Sequence, residues 1–535
     1  IDSKSALKGL RARSFYLEIL VENAVDELLN RLELCRTNVL YVGGGNMYLL
    51  LPATKKSFEV IQNFEAELNT WFLNNFGIAL YAAGGYSDCS SNHLQNIPSG
   101  SYAETFESII KSITEKKFHR YNAEDILKLN NKTNDDHLRE CRVCHRSDML
   151  LEDDMCSICS NLNKLANMMI DENGDFFVIS KKENLQGSVK MPFGYYLTVA
   201  TSDEMRNIIN TSSDYVRGYS KNKGYTGKNI ASNLWLGDYS YQKEFSKLVE
   251  NSDGIKRLAV IRADIDNLRQ TFINGFEESA PDGKYSTITR TAVLSRKLST
   301  FFKLHINKIL KNGVFKLSDN EETERKCVIV YSGGDDLFIV GNWEDIICFS
   351  IDLYNSFKKY TQNTLTISAG IGIYPEKYPI YSMATETGRL ESMSKDYKDK
   401  LSQKEKNAVT LFDKTGSYSW QQFIDNVIGE KLTALKTFIT NDSEHNKAML
   451  YKMLQLIRDK EKEDRLNIAR FAYLLARLEP DENTDDYVKE KYKEFSRNMY
   501  AWIQDDEECR CLVTAIYIYV YMNRKSEGDY DEKTR

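Results

Sequence analysis

Proline is scarce in this chain, 7 in 535 residues, and no low-complexity tract occurs. That excludes long disordered linkers, which are built from proline, glycine and polar repeats. Also missing is any apolar run approaching the ~20 residues of a membrane span. No signal peptide opens the chain, so a cytoplasmic protein is expected. Charge of one sign is lacking too: 71 basic against 77 acidic residues leave −6. The chain as a whole therefore has no electrostatic pull on nucleic acid, and any such contact must be a local patch or be shared with a partner. The first residue is Ile1, inside a polar stretch rather than a methionine, as in a trimmed chain. What is plentiful is apolar material, 42% of residues with 11% aromatic. At this length about three or four cored domains are expected.

The rest is organised around Cys327-Val-Ile-Val-Tyr-Ser-Gly-Gly-Asp-Asp-Leu-Phe-Ile-Val-Gly341. Two β-rich runs flank Ser332-Gly333-Gly334-Asp335-Asp336, which reads as an antiparallel hairpin with the glycines in its turn. Asp335 and Asp336 are then lifted into solvent at the tip. Adjacent carboxylates suit hard divalent cations that bridge phosphates; an ordinary surface turn would use the same residue types. A second pair bears on the choice. Arg257 to Asp264-Ile265-Asp266 is an apolar run ending in two carboxylates, expected at the carboxyl end of a buried strand, where ligands gather. If that strand persists far enough, Asp264 and Asp266 share one side. Such carboxylates converging with the hairpin tip would repel one another unless cations filled the cluster.

The order around the hairpin occurs twice. Apolar residues at helical spacing from Ser14 to Leu34 predict a long amphipathic helix. Two strands around Gly43-Gly44-Gly45-Asn46 follow, then a helix Phe58 to Phe76 and a strand Ile78 to Ala83. Later come a helix Ile288 to Leu310, strands 327–331 and 337–341, a helix Trp343 to Tyr360 and a strand Leu365 to Tyr374. Internal duplication of one α/β unit is the economical explanation. The first copy carries no carboxylate at its turn, so only the second is built for metals.

Between the copies lie Cys141-Arg-Val-Cys144 and Cys156-Ser-Ile-Cys159. Two such knuckles so close together read as a four-cysteine zinc site, structural because all four tetrahedral positions are filled. His145 is expected to be solvated. Cys35, Cys89, Cys327, Cys348, Cys509 and Cys511 show no ligand pattern and are expected to be reduced thiols. Within the polar stretch Ser202 to Tyr241, Arg217, Lys221, Lys223 and Lys228 alternate with Tyr215, Tyr219 and Tyr225. This composition fits a solvated loop or a surface that tracks a single strand and stacks on bases. After Asp413 five helical stripes, Gln421 to Thr440, Lys447 to Arg458, Leu466 to Leu478, Tyr487 to Ile503 and Leu512 to Met522, predict a helical bundle with a packing or docking role.

Strand 257–264 with Asp264, the Gly-Gly-Asp-Asp hairpin, Leu365-Thr-Ile-Ser-Ala-Gly370, Ser394-Lys395 and Lys406-Asn407 resemble the palm domain of nucleotide cyclases and Gly-Gly-Asp-Glu-Phe diguanylate cyclases. Two palms, a four-cysteine insertion and a helical tail together resemble the large, polymerase- and cyclase-like subunit of type III-A (Csm) CRISPR effector complexes. Ala6-Leu-Lys-Gly-Leu-Arg-Ala-Arg-Ser-Phe-Tyr-Leu-Glu18 looks like the start of that family's first palm, just after its first strand. The resemblance implies an α/β (α+β) chain with two ferredoxin-like palms: 1–118 the first palm, 119–240 the zinc-containing insertion, 241–415 the second palm and 416–535 the helical bundle.

The implied activity is synthesis of cyclic oligoadenylates from ATP, switched on by target RNA. Asp264, Asp335 and Asp336 would hold two Mg²⁺ or Mn²⁺ ions, and Asp266 would ligate or orient. Ser332, Gly333 and Gly334 belong to the nucleotide site. Lys395 and Lys406 are candidates for clamping the triphosphate, Asn267 and Ser295 for reading adenine or ribose. Gly43, Gly44, Gly45 and Asn46 would line the acceptor ATP. Implied partners are guide crRNA, target RNA, and RAMP-type Csm subunits, one binding the guide 5′ end and one small and helical. The family's DNA-cutting domain carries a His-Asp pair; no His-Asp dipeptide occurs here, so DNA cleavage is not expected from these residues. Rival readings are a diguanylate-cyclase-like enzyme and a scaffold for guide RNA and subunits. Leu337 in place of Phe, Asp336 in place of Glu and the lack of an Arg-x-x-Asp inhibitory site speak against the first. The scaffold leaves the carboxylates unexplained.

Overall fold

The computed structural model describes the chain except for residues 1–2, 131–138, 152, 171–173, 184–186, 226, 228, 243, 251, 253, 275–284, 319–320, 400–404, 440–443, 459–463 and 525–535. Lys228 and most of the charged loop after Arg458 lie outside the described residues. The chain packs as two compact units. One comprises Ile1–Glu244, Asn267–Lys308 and Ile329–Leu337; the other comprises Phe245–Asp266, Ile309–Val328 and Phe338–Arg535. Among the described residues no helix is long and apolar enough to cross a membrane.

The first unit opens with α1 (Ser3–Arg31), whose stripe Phe15, Ile19, Leu20, Ala24 and Leu28 is buried in one large core. The hairpin β1 (Val39–Gly43) and β2 (Asn46–Leu49) follows, then α2 (Lys55–Phe76), capped by the Thr54 hydroxyl on the Ser57 amide. The strand expected over Ile78 to Ala83 does not form. Ile78 is 66% exposed, and the Ala82 amide and carbonyl are taken by the Asn69 side chain at 2.8 and 2.9 Å, which satisfies that backbone without a strand partner. The first hairpin is thus a sheet of two strands only. Two helices come next, α3 (Ser101–Phe118) and α4 (Ala123–Asn130).

The insertion begins with a short hairpin, β3 (Arg139–Glu140) and β4 (Ser147–Asp148), and α5 (Ser157–Ile170), which packs along α1. It then builds a five-stranded sheet that periodicity did not reveal: β5 (Phe176–Ser180), β6 (Val189–Lys190), β7 (Tyr196–Ala200), then α6 (Ser202–Thr211), β8 (Tyr215–Lys221) and β9 (Ile230–Leu234), in the order β6-β7-β5-β8-β9. Of the basic and tyrosine residues expected on a solvated loop, Tyr215, Arg217, Tyr219 and Lys221 lie in β8. Arg217 is buried and donates to Glu27 of α1 at 2.7 Å, and the Tyr219 hydroxyl donates to Asp26 at 2.7 Å. Lys221 is buried, Lys223 pairs with Asp175, and Tyr225 lies on Phe176. Arg217 and Lys221 are thus committed to the interior, whereas Lys223 keeps an exposed side chain.

Further along, α7 (Phe245–Val249) and β10 (Leu258–Ile265) belong to the second unit, and α8 (Leu268–Asn274), α9 (Ile288–Thr300) and a π-helical turn, Phe301–His305, to the first; α10 (Ile306–Lys311) continues from that turn. The acidic hairpin is β11 (Cys327–Ser332) and β12 (Asp336–Asn342). Asn342 caps α11 (Trp343–Tyr360) on the Glu344 amide at 2.9 Å, with Glu344 and Asp345 favourably placed at the positive helix end. Next are β13 (Ile367–Tyr374), α12 (Ile380–Lys395), β14 (Ala408–Thr410) and β15 (Ser417–Ser419). The sheet order is β11-β12-β10-β13-β14-β15. All but two residues of β10 are buried, as expected of an interior strand. The carboxyl-terminal helices form as expected: α13 (Trp420–Gln422) leads through a π-helical stretch, Phe423–Leu432, into α14 (Thr433–Phe438), followed by α15 (Glu444–Arg458), α16 (Asp464–Ala476), α17 (Asp486–Gln504) and α18 (Asp506–Asn523).

Candidate functional site

The first unit contains the acidic turn. The Gly333 amide donates to the Asp336 carbonyl at 2.8 Å, closing it. Ser332 is buried, and its hydroxyl donates to the Phe302 carbonyl. The tip is not lifted into solvent either. Gly333 and Gly334 are buried and both aspartates half-buried, because the first hairpin lies against them. A Cβ on Gly43 would come within 3.3 Å of the Gly334 Cα, and one on Gly44 within 2.8 Å of Asp335 Oδ1. The two glycine turns therefore meet, and their fit depends on missing side chains. Gly44, Gly45 and Asn46 keep an exposed face.

Two tyrosines, absent from the candidate residues, complete the arrangement. A Cβ on Gly334 would meet the Tyr41 hydroxyl at 2.5 Å, and one on Gly44 the Tyr331 hydroxyl at 3.7 Å. Each tyrosine thus faces the other copy's turn. Burial first, then the neighbouring Asp335 and Asp336 charges, raises the Tyr41 hydroxyl pKa. Burial and Asp336, to which it is hydrogen-bonded, do the same for Tyr331. Both stay protonated donors. Burial and the adjacent Asp336 charge push Asp335 up to about 6. Two crowded carboxylates with hard oxygen donors are a fitting seat for Mg²⁺ or Mn²⁺. A repeated signal could have revealed the tyrosines: Tyr41-x-Gly43-Gly44 and Tyr331-x-Gly333-Gly334 have one spacing.

Ser295 is buried on α9, lining a small apolar cavity with Tyr41, Tyr48, Tyr102 and Phe272. Asn267 adopts φ 54° at the start of α8, and its carbonyl accepts the Thr271 amide at 2.9 Å.

The second unit holds the remaining candidates. In β10, Asp264 is in register with Ser368 of β13 and accepts an ion pair from Lys395. Lys395 is delivered by the end of α12, which Gly370 lets approach: a Cβ there would meet the Thr387 carbonyl oxygen at 2.7 Å. Ser394 pins that helix end by donating to the Ala369 carbonyl at 2.7 Å. Beyond Ile265 the Asp266 amide continues the pairing with β13, donating to the Thr366 carbonyl at 2.9 Å. Asp266 is buried and accepts the Thr366 hydroxyl at 2.7 Å and the Asn407 amide at 3.0 Å. Its carboxyl is raised, chiefly by burial. It thereby holds the left-handed pair Lys406 (φ 64°) and Asn407 (φ 49°). Lys406 is fixed by its amide on the Tyr397 carbonyl at 2.8 Å.

In the insertion, sulfur atoms of Cys141, Cys144, Cys156 and Cys159 all lie within 4.8 Å of one another. Three are buried, and the Cys156 amide donates to Cys141 Sγ at 3.3 Å. The donor set and its closeness fit a tetrahedral thiophilic ion. His145 is exposed and turned to Glu140 at 2.8 Å, away from the cluster. The other six cysteines are unbridged.

Three family models match the chain: Csm1 subunit domain B over residues 1–132, the second palm domain of Cas10/Cmr2 over 257–409, and the second helical domain of the CRISPR RNA silencing complex Cmr2 subunit over 436–525. Among curated proteins, the chain is 39% identical over 98% of its length to the CRISPR system single-strand-specific deoxyribonuclease Cas10/Csm1 (subtype III-A) of Enterococcus italicus. It is 37% identical over 99% of its length to the protein of the same name from Mycobacterium tuberculosis. It spans 65% and 66% of those two relatives. Among solved structures, the fold matches a Csm1-Csm4 subcomplex of the type III-A CRISPR-Csm interference complex (TM-score 0.72) and Csm1-Csm4 cassettes bound to one ATP (0.71) or cA4 (0.70). Each match has 22% identity and covers 97% of this chain and 67% of the other.

Proposed function

Because the chain belongs to the Cas10/Csm1 family of subtype III-A, we propose that it joins ATP molecules into cyclic oligoadenylates within an RNA-guided antiviral effector. The observation that carries this reading is the half-buried Asp335-Asp336 pair held under an exposed glycine turn from a second, carboxylate-free hairpin. The structures of relatives with ATP and cA4 support it.

In the reaction the 3′-oxygen of one ATP bonds to the α-phosphorus of another, the bond to pyrophosphate breaks, and the hydroxyl proton is lost. Asp335 and Asp336 are the proposed ligands of Mg²⁺ or Mn²⁺, and Asp264 is proposed as a third from the cyclase-like pattern of its strand. Such ions, when bound, supply acidification of the 3′-hydroxyl and neutralisation of phosphate charge. Gly43 to Asn46 offer open backbone to the acceptor nucleotide, and the protonated Tyr41 and Tyr331 hydroxyls hold the turn carrying the carboxylates. Lys395 and Lys406 face the triphosphate in this scheme. Lys395 is paired with Asp264 here, so reaching a phosphate requires it to give up that partner.

The four cysteines are assigned a structural zinc, with no coordination position left for water. Partners in the scheme are guide crRNA, target RNA, a Csm4-like subunit at the guide 5′ end and a small helical subunit. The DNA cleavage named for the relatives is not assigned to these residues, which contain no His-Asp dipeptide.

The test is incubation of the complete effector with ATP, Mn²⁺ and target RNA. Cyclic products are expected, and Asp335→Ala with Asp336→Ala should reduce them by at least about 10²-fold while assembly persists. Unchanged product from that variant would leave the scaffold reading in its place. For the insertion, metal analysis should return about one zinc per chain, and a clear deficit would refute the four-thiolate site.

A further inference from the structure

Lys303 is a buried lysine that the proposed chemistry does not use. It is 8% exposed and lies in the π-helical turn between α9 and α10, ion-paired with Glu18 of α1. Burial alone would lower Lys303; Glu18 and Glu22 outweigh it and hold the amine above its usual range, so it carries its charge. A buried pair is a weak source of stability, since an apolar pair of similar size often serves as well or better. Stability therefore does not account for Lys303.

Its turn does. A π register is rare in helices and is frequent at functional sites. Here it sends the Ile306 amide to the Phe301 carbonyl, one residue earlier than an α-helix would. The Phe302 carbonyl, passed over by Ile306, accepts the hydroxyl of Ser332, the residue that enters the carboxylate turn. Two residues beyond the π turn, Asn307 holds the Asp238 and Tyr239 amides at 3.0 Å each, and the Tyr239 carbonyl accepts the Ile329 amide of β11 at 3.0 Å. The strand and the turn that follows it are thus braced from one place. After burial and the two aspartates, Glu18 also contributes to raising Tyr41 and Tyr331, which puts its charge within reach of both tyrosines.

We propose that Lys303 is a positioning residue for the Asp335-Asp336 turn: its ion pair with Glu18 anchors the π turn, and the Phe302 carbonyl of that turn sets Ser332 and hence the two carboxylates. This rests on the oligoadenylate reading for its consequence in catalysis, and on the contacts alone for its consequence in metal binding.

The complete effector is assayed with ATP and Mn²⁺, and Mn²⁺ binding is followed separately by its EPR signal. Lys303→Met should lower kcat about 30-fold with KM for ATP moving less than about threefold, because substrate contacts remain and only carboxylate alignment is lost. Lys303→Arg, which can keep the pair, should stay within about threefold of the parent, and Ser332→Ala should lower kcat about tenfold. Glu18→Gln added to Lys303→Met should cost nothing more, as for two members of one pair. Mn²⁺ binding should weaken in Lys303→Met and in Ser332→Ala. Parental kcat and Mn²⁺ affinity in Lys303→Met, or a rise in KM alone, would overturn the proposal. Should Lys303→Met fail to assemble, Ser332→Ala decides by the same criteria. If the unaltered effector makes no product, the oligoadenylate reading falls, and the EPR comparison still decides the positioning role.

Discussion

The two glycine turns look alike in sequence and need their glycines for different reasons. Gly44 and Gly45 have φ of 56° and 75°, the left-handed geometry of a two-residue hairpin turn, which side chains resist. Gly333 and Gly334 are not left-handed; they are small because tyrosine hydroxyls occupy the space a Cβ would take. The first turn is shaped by its backbone, the second by its neighbours. Its sheet differs as well, two strands against six. The first hairpin has no carboxylate at its turn and a smaller sheet, but its Tyr41 and bare backbone are pressed against the acidic turn. A hairpin without carboxylates of its own can still shape the surroundings of one that has them.

The contrast is broken most severely at Gly334. Its Cβ would sit 2.5 Å from the Tyr41 hydroxyl and 3.2 Å from ring atoms, and Tyr41 is itself buried. Gly334→Ala should displace the acidic turn and reduce oligoadenylate formation roughly 10²-fold, a loss typical of a misplacement near 1 Å. Removing the hydroxyl with Tyr41→Phe in the same chain should restore part of the rate, since that atom is the nearest obstacle. Loss without any recovery would mean that the glycine serves backbone conformation after all.

Much of this architecture was legible before any coordinates. Alternating apolar residues around Gly-Gly fixed both hairpins, helical spacing marked α1, α2, α11 and the terminal bundle, and paired Cys-x-x-Cys brought four sulfurs together. Where local pattern misled, tertiary partners had intervened. Ile78 to Ala83 has strand-like composition, but Asn69 takes its backbone groups. Arg217 and Tyr219 read as solvated, yet Glu27 and Asp26, nearly 200 positions away, draw them inside. Asp266 reads as an open carboxylate at a strand end, yet it is buried and held by the Thr366 hydroxyl and the Asn407 amide. The π turn has no periodic signature, so Lys303 and its reach to the acidic turn were invisible. Composition reports propensity, and each of these residues answers to a partner that only the fold supplies.

The smallest expected effects give the sharpest comparison, within the first turn itself. Gly44 and Gly45 share a left-handed backbone, so alanine at either should cost on the order of 1 kcal/mol of stability. Their surroundings differ. A Cβ at Gly44 meets Asp335 Oδ1 at 2.8 Å, whereas one at Gly45 has nothing within 4 Å. Gly44→Ala should therefore move a carboxylate and lower turnover about tenfold, while Gly45→Ala should stay within about twofold at the same loss of melting temperature. Equal turnover in the two variants would mean that Asp335 is indifferent to the first turn, and that the carboxylate-free hairpin is a neighbour of the site without being part of it.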